Sequence, residues 1–253
     1  VRPRDPNAHP PATQDGRVLY ISDEFDDALQ FTTILSLEYL LENLVPEIAE
    51  VIPPEDAATE TASATCEDGF RAVTDATDTD VCVPENPERV VVLDTGELDG
   101  ALSLGVKPVG AVEAIPGTGL PAYLDGMTDG IEIVGSIAEP NLEAILSLEP
   151  DLILSSALRH EEIYDQLSAI APTVFTETVG VAWKDNLVVY ADALNRQDAL
   201  DVRLAEYNSR IETVRDVIDV DATEVSIVRF VPGQNRVMQR GSFIGTIIED
   251  IGF

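Results

Sequence analysis

Cations are scarce in this chain, and the few present are the first place to look for chemistry. Against 47 Asp and Glu stand 15 Lys and Arg, of which only Lys107 and Lys184 are lysine. Arg159 and His160 lie in DLILSSALRHEEIYDQL, where an apolar strand pattern gives way to a helical one. A guanidinium at that junction would stand at the C-terminal edge of a parallel strand, where open α/β sheets place ligands. Its planar fork of donors suits the oxygens of a carboxylate or similar anion. A second reading pairs Arg159 with Glu161 or Glu162 as an exposed ion pair. His160 and Tyr164 are further candidates for the same site, although a His beside an Arg is more ordinary at a helix start or on a surface.

A second set of cations falls in RFVPGQNRVMQR, which carries Arg229, Arg236 and Arg240. If NRVMQR is extended, Arg236, Met238 and Arg240 share one face. Three cations so close need an anion to join them, or else separate salt bridges to an acidic surface. Trp183 is the only tryptophan and precedes a long helical pattern. It reads either as an aromatic platform for a ligand or as a core residue.

Several function classes lose support. No GxSxG elbow, phosphate-binding loop, GxGxxG after a strand or HExxH occurs, so nothing resembles a nucleophile with its base and an enzyme is not expected. His9 and His160 are the only histidines, too few for a typical zinc or manganese site, although acidic loops could hold calcium. A formal net charge of −32 repels phosphate backbones, so nucleic acid is not an expected partner. No run approaches the length of apolar sequence that spans a bilayer.

The elements follow from periodicity. From Val90 onward, VVVLD, PVGAV, DLILSS and TVFTE alternate with helical patterns, which argues for βα units on a mostly parallel sheet. One long helix is expected from about Trp183 to Val220, then a strand and a helix. Cys66 and Cys82 flank a hairpin with TDATDT at its turn, which brings them close. A disulfide there implies an exported protein, and two reduced core thiols are the other reading. The opening VRPRDPNAHPP has no apolar run, so an exported protein would here be a mature or engineered form.

The pieces VTDATDTDVCVPENPERVVVLD, LGVKPVGAV, NLEAILSLEPDLIL, LRHEEIYDQLSAIAPTVF, WKDNLVVYADAL and VSIVRFVPGQNRVMQRGSFIGTIIEDIGF, taken in this order, resemble the iron-siderophore substrate-binding proteins of ABC importers. The resemblance implies an α/β fold of the periplasmic-binding-protein type, with two βα lobes bridged by a long helix. It implies a monomer outside the cytoplasm, in the parent family a membrane-anchored lipoprotein, that delivers a ferric siderophore of hydroxamate or citrate-hydroxamate type to the importer's permease. No cofactor is implied beyond that ligand. Arg159, Arg229, Arg236, Arg240, Trp183, Tyr164 and His160 become ligand candidates, with Arg229 foremost of the three C-terminal arginines. Glu143 and Glu249 become the acids that meet the permease.

The order of segments departs from the family. ATQDGRVLYISDEF and LSLEYLLENLVP resemble the end of the C-terminal lobe, yet they come first. The chain therefore reads as a circular permutant: 1–52 the end of the C-terminal lobe, 53–65 a linker, 66–181 the N-terminal lobe, 182–220 the interlobe helix and 221–253 the start of the C-terminal lobe. That reading places Val1 near Phe253 and shortens the C-terminal lobe by at least one βα unit. A permuted scaffold without transport function, or a receptor for cobalamin or haem on the same fold, remains open at this point.

Overall fold

The computed structural model describes residues 66–220, 222–231 and 234–253. The chain divides into two units, Val1–Ala62 and Ser63–Phe253. The readings of 1–52 as part of a lobe and of 53–65 as a linker, the permutation and the proximity of Val1 to Phe253 all lie outside the described residues.

The second unit opens with the expected hairpin, β1 (Phe70–Thr74) antiparallel to β2 (Asp80–Pro84), and Cys66 is disulfide-bonded to Cys82. Asp75 organises the turn: its Oδ1 accepts from the Thr77 N–H at 2.8 Å, the Thr77 hydroxyl at 2.7 Å and the Thr79 N–H at 3.0 Å. Five parallel strands follow: β3 (Val90–Val92), β4 (Gly110–Glu113), β5 (Glu132–Ser136), β6 (Leu152–Ser156) and β7 (Thr173–Thr176). They lie in the order β5-β4-β3-β6-β7. The central β3 and β6 are buried along their whole length, as expected of a parallel sheet covered on both faces.

Alternation along the strands splits the core into two layers. Val90, Val92, Leu152 and Leu154 face α1 (Thr95–Ser103) and α5 (Trp183–Leu194), packing with Leu98, Leu102, Leu187, Tyr190 and Leu194. Val91, Leu93, Ile153 and Phe175 face α2 (Leu142–Ser147) and α4 (Tyr164–Ser168), packing with Ile145 and Leu167. A single turn, α3 (Ala157–His160), follows β6 directly. The two helices of the first layer approach closely because Gly100 has no side chain: a Cβ there would stand 2.6 Å from the Tyr190 ring.

The single helix expected over 182–220 is in fact two. Asn195 adopts a left-handed backbone (φ 53°) and closes α5, and α6 (Gln197–Val217) starts afresh. Asn is among the few residues that tolerate this conformation, and its side-chain amide donates to the Glu85 carbonyl at 2.9 Å. Beyond α6 come a hairpin, β8 (Val228–Val231) with β9 (Gln234–Val237), and α7 (Phe243–Ile251).

Candidate functional site

Strand order locates the site. From β3 the chain steps outward to β4 and β5, then crosses back to place β6 on the other side of β3. The crevice at the C-terminal ends of β3 and β6 is therefore the topological switch point, where open α/β sheets bind ligands. Asp94 follows β3 and Arg159 follows β6, and the two meet there: the Arg159 Nε donates to the Asp94 Oδ2 at 2.8 Å. The other Asp94 oxygen caps α1, accepting from the Thr95 N–H at 2.6 Å and the Thr95 hydroxyl at 3.0 Å. Asp94 is thus anchored and nearly buried, while the Arg159 side chain keeps 39% of its surface exposed. The alternative reading, an exposed pair with Glu161 or Glu162, gives way to this longer-range pair, which fixes the guanidinium by its Nε edge.

A groove of about 600 Å³ runs between α1, α5 and α6; it begins at Thr95, next in the chain to Asp94, but neither Asp94 nor Arg159 lines it. Its wall includes Thr95, Tyr123, Trp183, Tyr190, Tyr207 and Phe243, an aromatic surface edged by Asp99, Arg203 and Arg210. Glu113 closes the turn after β4 by accepting from the N–H groups of Gly117 at 2.7 Å and Gly119 at 2.9 Å, and these bonds hold its carboxyl below the ordinary range. The Tyr123 hydroxyl donates to Asp99 at 2.6 Å, and partial burial together with that carboxylate pushes it up to about 12.

Trp183 lies where α5, α6 and α7 meet. Its indole donates to the Thr246 hydroxyl at 3.2 Å, and its ring stands edge-on to Tyr207 at 5.0 Å and to Phe243 at 6.2 Å. Lys184 lies over the Trp183 and Tyr207 rings at 5.5 and 5.1 Å and pairs with Asp250 at 2.6 Å. Asp250 also accepts from the Tyr207 hydroxyl, and the Lys184 and Tyr207 donors hold its carboxyl below its usual range. Trp183 therefore both fastens α7 and lines the groove.

One sequence candidate is corrected, and a second packs partly into the core. His160 is 3% exposed: its Nε2–H donates to the Ile137 carbonyl at 2.8 Å, and its Nδ1 accepts from the Ser155 hydroxyl at 2.7 Å. Burial lowers its pKa, so it is a neutral internal tie with no nitrogen left for a ligand. Tyr164 is drawn into the second core layer and packs edge-on against Phe175 at 4.9 Å.

The C-terminal arginines are arranged differently from expectation. The extended stretch ends at Val237, so Arg240 sits in the turn before α7, apart from Arg236. Arg236 instead stands directly across from Arg229, both exposed, in the β8–β9 ladder. None of the three lines the groove, although Arg240 edges a small hollow of about 120 Å³ with Met238 and Ile248. Glu143 and Glu249 are exposed, in the first turn of α2 and near the end of α7.

Asp94, Glu97, Tyr123, Tyr207, Arg203 and Arg210 were not candidates in the sequence. Asp94 was the most accessible of them, as a short acid between an apolar strand and a helical pattern.

Comparison with known proteins agrees with this architecture. Residues 90–253 match the model of a family described as "Periplasmic binding protein". The chain is 42% identical over 184 residues to the probable siderophore-binding lipoprotein YfiY of Bacillus subtilis, a match covering 72% of this chain and 57% of that protein. It is 33% identical to the Fe(3+)-citrate-binding protein YfmC of the same organism, over 68% of this chain and 55% of that protein. The matches thus span little more than half the length of these relatives. Among solved structures, Staphylococcus aureus SirA complexed with staphyloferrin B superposes with a TM-score of 0.65 at 36% identity, over 72% of this chain and 63% of that one. On the family match, which takes in the switch-point crevice and everything C-terminal to it, the chain belongs to the periplasmic binding protein family.

Proposed function

We propose that this chain captures a ferric siderophore of the hydroxamate or citrate-hydroxamate type outside the cytoplasm, as the binding component of an ABC importer. The observation that carries the reading is the Arg159–Asp94 pair at the switch point. Asp94 holds one edge of the guanidinium, and the half-exposed remainder is available to the oxygens of an anionic chelate. Relatives named for siderophore and ferric citrate binding, and a similar structure holding staphyloferrin B, support the ligand class.

In this reading Trp183, with Tyr123 beside it, gives an aromatic wall against which the apolar parts of the ligand rest. Arg229 and Arg236 supply a second cationic edge: like charges facing across a ladder are unfavourable until an anion bridges them. The α6 helix serves as the interlobe connection. Glu143 and Glu249 meet the permease, and the protein works as a monomer. Its role is binding without catalysis, and the iron arrives inside its chelate as cargo.

Calorimetric titration with ferric citrate, a ferric hydroxamate and a ferric catecholate, each against the parent chain and Arg159→Ala, tests the assignment. The expected result is saturable binding of the carboxylate- or hydroxamate-bearing chelate, weakened in the variant. Preference for the catecholate, or binding of none, overturns it.

A further inference from the structure

Among the described residues, Glu97 is the one buried side chain with two unpartnered polar atoms. It lies in the first turn of α1 and is 0% exposed; neither carboxyl oxygen has a well-formed hydrogen bond, and the Tyr190 hydroxyl is the nearest side-chain donor acting on it. Such burial is costly for a charge and bearable for a neutral acid. Its surroundings set what the charge would do: Asp94 from the end of β3, Arg159 from α3 and Tyr190 from α5 are the ionisable neighbours acting on it. With Glu97 neutral, Asp94 and Arg159 cancel, and Arg159 is free to answer an incoming anion. With Glu97 ionised, two carboxylates face one guanidinium, and the crevice carries a net negative charge.

Resting on the binding reading above, we propose that Glu97 is a positioning residue that carries a proton while the Arg159–Asp94 pair receives an anionic ferric chelate, and that loss of this proton expels the chelate. Linkage makes the effect reciprocal: an anion bound at Arg159 tightens the hold of Glu97 on its proton. Desolvation by burial is the largest cause raising the Glu97 pKa, to about 8, and the Asp94 charge adds to it. Burial pushes Tyr190 far upward, and burial lowers His160, so both are neutral between pH 7 and pH 9.

The test is the affinity for ferric citrate between pH 6 and pH 9.5, in the parent chain and in Glu97→Gln, which keeps shape and polarity but cannot ionise. Because both proteins see the same chelate, pH-dependent changes in the chelate itself cancel between them. The expected result is that parent affinity falls above pH 8, approaching about tenfold per pH unit, while the ratio of variant to parent affinity rises in step. Parallel profiles overturn the proposal. If ferric citrate binds neither protein at any pH, the ligand reading is what fails. Infrared spectroscopy of the unliganded chain then decides the proton: a protonated-carboxyl band at pH 7 that is missing in Glu97→Gln supports it, and the absence of that band from the parent overturns it.

Discussion

At the level of single residues, the site is a problem of placing one cation. Arg159 is positioned by a carboxylate 65 positions away in the chain, which no local pattern announces. The sequence does identify Arg159, because an arginine at a strand-to-helix junction in so acidic a chain stands out. Its partner is hidden among 47 acids. His160 misleads for a related reason, since adjacency in sequence suggested a shared role, but successive residues of the α3 turn point to the crevice and to the core. Arg159→Ala is expected to weaken chelate binding at least tenfold and to cost about 1–2 kcal/mol of stability, because it leaves the nearly buried Asp94 Oδ2 unpaired. Asp94→Ala removes an N-cap and the buried partner of Arg159 together, and is expected to cost about 1–2 kcal/mol in chemical denaturation as well as binding.

Glu97 also leaves a trace in stability. Its folded pKa, about 8, lies above its ordinary value of 4.5, so between these limits the folded chain holds a proton that the unfolded chain has released. Stability from this group is fully present below pH 4.5 and is lost as pH rises towards 8. Urea denaturation at a series of pH values is expected to show that slope in the parent and a flatter one in Glu97→Gln. Identical slopes would mean that Glu97 ionises normally in the fold.

Among the elements, the parallel sheet and the disulfide-bonded hairpin were legible because their signals are local: two-sided apolar runs, and turn residues between two cysteines. The break between α5 and α6 was not, because apolar spacing continues across it and only Asn195 marks the stop. Asn195→Ala is expected to destabilise by about 1–2 kcal/mol, combining left-handed strain with the lost bond to Glu85. Asn195→Gly trades that bond for relief of strain and should cost less. The start of α7 is as sensitive: a Cβ at Gly245 would lie 2.3 Å from the Arg240 carbonyl oxygen and 2.4 Å from that of Gln239. Gly245→Ala should therefore loosen the Trp183–Thr246 contact and red-shift the emission of the lone tryptophan.

For the molecule as a whole, charge and ligand pull in opposite directions. A net charge of −32 disfavours both compactness and the approach of an anion, so the local cationic edge has to work against the field of the entire chain. Thermal stability is expected to rise as salt increases from roughly 0.01 M to roughly 1 M, as the Debye length contracts from about 30 to about 3 Å. No change over that range would indicate that the acids are already neutralised by pairing. The central claim is that Arg159 and the groove lined by Trp183 together receive a ferric chelate. It is tested most directly by following Trp183 fluorescence while hydroxamate, citrate-type and catecholate ferric chelates are titrated into the parent chain and into Arg159→Ala. The account predicts saturable quenching by a hydroxamate or citrate-type chelate that is lost or shifted at least tenfold in the variant. Quenching that is the same in both proteins, or absent with every chelate, would contradict it.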